Sequence, residues 1–255
     1  IRDRSIPSEG VGGSWIVKLP SMMFDGVPEN EYAMMEMARA IGIDVPEVQL
    51  VPMNRIAGLP DDVARLEGNA LAVKRFDRTA DRMPVHIEDF AQVFGVYPET
   101  KYAKASYRNI AEVLWLETGA EGVAEFIRRL VFNALIGNAD MHLKNWSLMY
   151  PDGRQPMLAP GYDFVSTIAY LRDTNMALTL GRSKAMTELS LDQLSYLAAK
   201  ARLPEKLVLD AGRETVGRFM AVWKSGAAIE AITPNSVQPI NELLPRIPLV
   251  SECRK

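Results

Sequence analysis

Sulfur and imidazole are nearly missing from this chain. Its 255 residues hold one cysteine, Cys253, and two histidines, His86 and His142. A lone cysteine excludes an internal disulfide and a cysteine zinc site, and it fits a reducing cytosol. Two histidines exclude a multi-histidine metal centre. No apolar stretch reaches the roughly 18 residues that a membrane-spanning helix needs, and no signal peptide is legible, so no membrane association is expected. No run of five like charges occurs, and 29 basic against 32 acidic residues give a formal charge of −3. Direct nucleic-acid binding is therefore not expected, because neutralising phosphates takes a basic face. Internal repeats and low-complexity tracts are absent too. What remains is 48% hydrophobic and 24% charged residues. That is an ordinary globular composition, long enough to bury a sizeable core, and it excludes disorder over most of the chain.

The first third reads as strands around one helix. Ser14 to Leu19 is short, bulky and β-branched, a strand that Pro20 ends. Pro28 opens a helical pattern that runs to about Ile41, with Gly42 as its stop. Val45 to Val51 and Asn69 to Phe76 read as further strands, and Arg78 to Pro84 as a linker. From His86 onward the pattern is mostly helical. Between Glu121 and Ile136, apolar residues such as Val123, Phe126, Ile127, Leu130 and Ala134 fall on one face at three- and four-residue spacing. Leu189 to Ala201 and Pro204 to Ala227 repeat that pattern. Gly137 to Tyr170 differs: it is rich in Gly, Asn, Asp and Pro, and Pro151-Asp152-Gly153 marks a turn between Trp146–Tyr150 and Gln155–Leu158. The picture is a small β-rich lobe, a linker near residues 78–86, and a larger helical lobe holding one polar hairpin. The methionines Met22, Met23, Met34, Met35 and Met37 read as packing filler.

The polar hairpin carries the chemistry. Gly137-Asn138-Ala139-Asp140-Met141-His142-Leu143-Lys144-Asn145 follows the most apolar helix in the chain. Asp140 and Asn145 are five apart, and Asp163 follows 23 residues after Asp140. Phosphoryl transfer asks for this set. One carboxylate takes or orients the acceptor's hydroxyl proton, while a second carboxylate and an amide oxygen hold magnesium against nucleotide phosphates. The D-x-x-x-x-N spacing with a later Asp is that of the protein-kinase catalytic loop and its metal-binding Asp. Taken singly, such residues also cap turns after helices, which is the plainer reading of Asn138. His142 is open between a place near the phosphates and a structural hydrogen bond; His86 reads as a cap or surface residue.

A cation from the β-rich lobe completes such a site. Lys18 in Trp-Ile-Val-Lys and Lys74 in Leu-Ala-Val-Lys both resemble the kinase V-A-I-K pattern. Lys18 precedes a helix carrying Glu29, Glu31 and Glu36, the order a strand-to-helix ion pair requires, and Glu31 is the partner chosen for it. Lys74 comes just before the linker, where a kinase places its adenine-binding hinge. Gly10-Val11-Gly12-Gly13 is not read as a phosphate loop, because no helix follows it directly; it reads as a hairpin turn feeding the strand.

Several longer stretches resemble the HipA family of bacterial serine/threonine kinases, the toxins of toxin–antitoxin systems. They are Ile16-Val17-Lys18-Leu19-Pro20, Glu29-Asn30-Glu31-Tyr32, Arg75-Phe76-Asp77-Arg78, Glu88 to Gly95, Ile136 to Asn145, and Leu158-Ala159-Pro160-Gly161-Tyr162-Asp163. The D-x-H-x-x-N core alone is shared with phosphatidylinositol kinases; the flanking stretches favour HipA. The resemblance implies an α+β, two-lobed, protein-kinase-like fold, with a small β-rich N-lobe over residues 1–80 and a larger, all-helical C-lobe over 81–255. It implies ATP and Mg²⁺, with Asp140 as catalytic base, Asn145 and Asp163 on magnesium, and Lys18, paired with Glu31, on the phosphates. Lys74, Arg75 and Phe76 would form the adenine hinge, and Gln92, His142 and Tyr162 would line the nucleotide site. It further implies a bacterial, cytoplasmic protein kinase with a protein substrate, glutamyl-tRNA synthetase being the known target type, and a HipB-like helix-turn-helix antitoxin as partner. Family members usually carry an N-terminal subdomain and a Gly/Ser-rich loop with an autophosphorylated serine, which implies a region upstream of Ile1. The alternatives are a catalytically silent nucleotide- or partner-binding module and a kinase for a small molecule or lipid. Asp163-Phe164-Val165 lacks the glycine of D-F-G.

Overall fold

A computed structural model of the chain describes residues 5–7, 13–96, 105–225 and 234–253. Gly10, Val11 and Gly12, read above as a turn, and Gly226–Ala227, read as a helix end, lie outside the described residues. In the first part, β1 (Ser5–Pro7), β2 (Trp15–Lys18), β3 (Val48–Pro52) and β4 (Asn69–Lys74) form one antiparallel sheet of order β1-β2-β4-β3. The register sets Lys18 opposite Leu71 and Trp15 opposite Lys74. Helix α1 (Val27–Ala40) starts with Pro28 in its first turn and packs on β3 and β4. Met34, Met35 and Met37 are fully buried there, as the filler reading expects. Met22 and Met23 are the reverse: at 78% and 83% exposure they fill nothing. They sit in the turns before α1, where the chain curls over the surface and no apolar face awaits them. The short helix α2 (Asp61–Ala64) completes this part.

The second part is built on α4 (Tyr107–Leu135), 29 residues long. One position inside it is not helical: Gly119, with φ 67° and ψ −152°, a backbone region open mainly to glycine. Beyond that break the apolar stripe legible from Glu121 is buried on nearly every turn, with Val123, Phe126, Ile127, Leu130 and Ala134 at 1% exposure or less. Helix α6 (Leu191–Ala201) and α7 (Glu205–Ser225) pack against it, and α8 (Pro234–Leu243) and α9 (Pro248–Glu252) close the far side.

Residues from His86 onward are not uniformly helical, which corrects the helical reading of that segment. His86–Asp89 is a strand, β5, that pairs with β6 (Ser147–Tyr150), and β6 pairs with β7 (Met157–Leu158) in a three-stranded antiparallel sheet. The hairpin across Pro151–Gly153 forms as expected; its third strand comes from about 60 residues upstream. Cross-strand chemistry holds that strand in place. Tyr150 donates its hydroxyl to Glu88 at 3.0 Å and its ring lies 5.3 Å from that of His86. Four residues of His-Ile-Glu-Asp carry no period long enough to announce a strand whose partner is distant in sequence. After β5, α3 (Phe90–Val93) begins with a reciprocal capping box between Asp89 and Gln92. Helix α5 (Ile168–Leu171) follows β7 at the edge of the polar segment.

Candidate active site

The loop 136–145 leaves the buried end of α4 at a fixed angle. Gly137 takes φ +68°, and a Cβ there would stand 2.6 Å from Ile168 Cγ2, so both space and backbone demand glycine. Asn138 is a brace, as its plainer reading held. Its Nδ2 donates to Asn133 Oδ1 at 2.8 Å and its Oδ1 accepts Asp140 N–H at 3.0 Å. Thr167 Oγ1 accepts from Ala139 N–H at 2.8 Å and donates to Gly137 O at 3.1 Å, pinning the loop from the other side. Asp140 is left with its side chain about one-third exposed. His142 is buried, its Nε2 4.0 Å from Asp140 Oδ1.

The ion pair chosen from sequence order is present, and it has a third member. Lys18 Nζ lies 2.7 Å from Glu31 Oε1 and 2.5 Å from Asp163 Oδ1. Three elements meet at that ammonium: β2, α1 and the segment after β7. Burial pushes the Asp163 carboxyl up, but the Lys18 ammonium, with smaller help from His142 and Asn145, outweighs it and holds the group below the usual carboxylate range. Asp163 itself adopts φ +62° without being glycine. Such a residue carries strain of order 1–3 kcal/mol and is characteristic of functional positions. Asn145 Nδ2 donates to Asp140 O at 3.0 Å, and its side chain lies near enough to Asp163 to help hold that carboxyl down. So Lys18, Glu31 and Asp163 form one connected set, and Asn145, near Asp163, is tied to the Asp140 carbonyl.

Magnesium makes modest demands on such a donor set. No group of three or more His, Cys, Asp or Glu side chains suited to a metal occurs among the described residues. A carboxylate and an amide oxygen side by side suffice, since magnesium keeps several waters and takes one or two protein oxygens beside substrate phosphates. With Nδ2 of Asn145 anchored on Asp140 O, its Oδ1 is the atom that would turn to the ion. Asn145 and Asp163 fit the group.

Between the two parts lies a cleft with about 820 Å³ of open space. Lys18 and Glu31 line one end; Val73, Lys74, Arg75 and Phe76 line the other; Gln92 and Tyr162 lie along it. The Phe76 and Tyr162 rings, 5.6 Å apart, join the two parts at the cleft. Tyr162 OH hydrogen-bonds Ser147 Oγ at 2.6 Å and donates to Lys144 O at 2.8 Å; burial pushes its phenol well above the ordinary tyrosine value. Lys74 points to Glu47 at 3.0 Å and is half-exposed, so its backbone, more than its charge, faces the cleft. Arg75 is held by a two-point contact to Asp77 at 2.8 and 2.6 Å. Of the residues singled out from sequence, Asp140, His142, Asn145 and Asp163 are not among those that line the cleft; Asp163 meets it through its ion pair with Lys18. Asp140 opens instead on a second hollow of about 890 Å³ with Ala139, Thr167, Leu171, Asp173 and Lys184.

Three features escaped sequence reasoning. One is Asp77, which fixes both Arg75 and Arg78. Another is Lys144, which lines the cleft. The third is Asn30, fully buried on α1 beside Glu31. Its Nδ2 lies within hydrogen-bond distance of Ser166 O, Tyr170 Oη and Ser236 Oγ, and its Oδ1 accepts Ser166 N–H at 2.9 Å. This clamp ties α1 to the segment that carries Asp163. Asn30→Ala would strand a buried Ser166 N–H, a loss of at least about 2 kcal/mol. Urea unfolding is expected to show that drop, with Glu36→Ala on the exposed side of α1 costing less than about 0.5 kcal/mol.

The sequence model of the HipA-like C-terminal domain matches residues 4–223. A protein of Sinorhizobium fredii, named "Putative kinase Y4dM", is 56% identical over 252 residues, which is 98% of this chain and 61% of that protein. The serine/threonine-protein kinase toxin HipA of Shewanella oneidensis is 29% identical over 55% of this chain and 34% of its own length. Among solved structures, the Shewanella oneidensis HipA, in a complex with HipB and operator DNA, superposes with a TM-score of 0.74 over 95% of this chain and 60% of that one, at 22% identity. The chain thus spans about three-fifths of the length of the first of these relatives.

Proposed function

The chain belongs to the family of HipA-like C-terminal domains, and from that premise we propose that it is the catalytic region of an ATP- and Mg²⁺-dependent serine/threonine protein kinase. One observation carries the reading. Lys18 Nζ bridges Glu31 and Asp163 at one end of an interlobe cleft, while Asp140 faces a separate hollow. A nucleotide and an acceptor thus have separate approaches to one loop. In this reading the adenine lies toward Phe76 and the backbone of Lys74 and Arg75. Lys18 orients the phosphates and is itself aimed by Glu31. Asn145 and Asp163 hold magnesium, which when bound neutralises charge on the transferring phosphoryl group. Asp140 takes the proton of the acceptor hydroxyl as the oxygen attacks. His142 and Asn138 keep that carboxylate in place and do not touch substrate. The Shewanella complex supports a HipB-like antitoxin as partner.

The protein-kinase reading is tested with ATP labelled at the γ-phosphate, magnesium and a bacterial extract, followed by mass spectrometry. Phosphoserine or phosphothreonine in protein is the expected product. Label confined to a metabolite or lipid would move the assignment to a small-molecule kinase. ATP binding with no transferred label would mark a silent nucleotide-binding module.

A further inference from the structure

A third hollow, with about 1190 Å³ of open space, lies on the helical part between α5 and α8. It shares no lining residue with the cleft or with the hollow of Asp140. Arg172 and Arg246, from distant stretches of the chain, both line it, and both residues are exposed. Neither guanidinium forms an ion pair or a hydrogen bond among the described residues. Elsewhere on this part arginines meet acids: Arg128 and Arg129 pair with Glu125, Arg182 with Asp192, and Arg218 with Glu214. Glu242 is the acid of the hollow's lining, and Gln238 Nε2 donates to it at 2.9 Å. Two cations against one acid leave the lining net positive.

The fold holds this hollow in shape. Its floor includes Ile168 and Leu243, both buried, and both lie against Gly137 at the head of the loop 136–145. Beneath it, Asn30 Nδ2 reaches Tyr170 Oη at 3.2 Å and Ser236 Oγ at 3.0 Å, which ties α5 to α8. Arg172 ends α5 in the left-handed region, with φ +49°, a strained choice for a residue with a Cβ. Residues 171–174 then alternate between two hollows. Leu171 and Asp173 line the hollow of Asp140, while Arg172 and Thr174 line this one. The two hollows are neighbours across one short ridge, so a segment bound in one can continue into the other.

We infer that this hollow binds a phosphoryl group carried by a protein segment, a phosphoserine or phosphothreonine, through Arg172 and Arg246. A guanidinium presents paired N–H donors that match phosphate oxygens, and two of them balance a phosphoryl charge of about −2. A lone carboxylate would need only one. The hollow is also far larger than a phosphate ion. Ile168, Ala169, Pro239 and Leu243 add apolar surface beside the arginines, which a bare ion leaves unused and the residues flanking a phosphoserine cover. Binding at this site does not depend on the kinase reading above. That reading supplies its use: a segment already phosphorylated docks beside the hollow proposed for the acceptor hydroxyl.

The test is fluorescence anisotropy of the full chain without nucleotide. The probes are a labelled peptide mixture with one fixed phosphoserine and random flanks, and the same mixture with serine; inorganic phosphate is the competitor. The phosphoserine mixture is expected to bind about tenfold tighter or more, the worth of one charge-assisted hydrogen bond. Arg172→Gln and Arg246→Gln are each expected to weaken it about tenfold, and Arg246→Lys by less, because charge is kept while the fork is lost. Glu242→Gln is expected to tighten it about twofold, a gain that damage to the fold would not give. Thermal melting checks each variant. Equal binding of the two mixtures, or phosphoserine binding unchanged in both glutamine variants of the arginines, would overturn the inference. So would displacement by inorganic phosphate at concentrations no higher than those of the peptide, which would reduce the hollow to a site for a free anion. No ATP is present, so a negative result here leaves the nucleotide reading standing, and a chain that transfers no phosphate can still show this site.

Discussion

Asp163→Asn is expected to lower phosphate transfer about 100-fold or more, the scale seen when one preorganised charged group at a transferring centre is lost. The substitution keeps the shape and removes the charge that both Lys18 and a magnesium ion require. It also leaves the Lys18 ammonium with Glu31 alone, so ATP without magnesium should bind about as well as before or slightly better, while the magnesium dependence disappears. Single-turnover transfer with and without magnesium reads both effects. The same carboxylate gives a pH prediction. Its pKa lies below the ordinary value of about 4 because the nearby cation outweighs the cost of burial. A group depressed in the folded state stabilises the fold fully above its unfolded pKa, and that contribution is lost as pH falls through the lowered folded value. Between pH 7 and pH 5 the stability of Asp163→Asn relative to the unaltered protein should therefore not change through this group; the difference should shrink only below about pH 4.

Asp140→Ala is expected to reduce transfer by about 10²–10⁴, the usual worth of a general base, with nucleotide affinity kept. Asp140 lines the hollow proposed for the acceptor and not the cleft proposed for the nucleotide, so the two measurements separate. Its removal is expected to leave the backbone of the loop in place, because Asn138, Thr167 and the glycine at 137 hold it. Loss of ATP binding in this variant would mean that Asp140 belongs to the nucleotide side and not to the acceptor. Transfer at the unaltered rate would remove it from the reaction.

Local pattern and spacing reveal much of this site but not its supports. Asp140, Asn145 and Asp163 are legible because one irregular connection after one apolar helix contains all three, at the spacing that phosphoryl transfer uses. Lys18 and Glu31 are legible because they follow a strand-then-helix order. Asn30 is different. It lies one residue from Glu31 and looks like any polar helix residue, and what makes it structural is Ser166, 136 residues further on. Strand β5 is hidden for the same reason, since its pairing with β6 spans the whole of α4. The exposed Met22 and Met23 mark the opposite failure: composition alone made them core, and only the path of the turn before α1 puts them in water. Helices α8 and α9 carry Pro239 and Pro248, and that proline content masks a helical period.

The most direct measurement is a calorimetric titration of the chain with ATP, once in magnesium and once in EDTA. One saturable site, about tenfold or more tighter with magnesium, is the expected result if Lys18, Asn145 and Asp163 converge on a metal-bound triphosphate. Heat that is absent in both conditions, or an affinity identical with and without the ion, would contradict it.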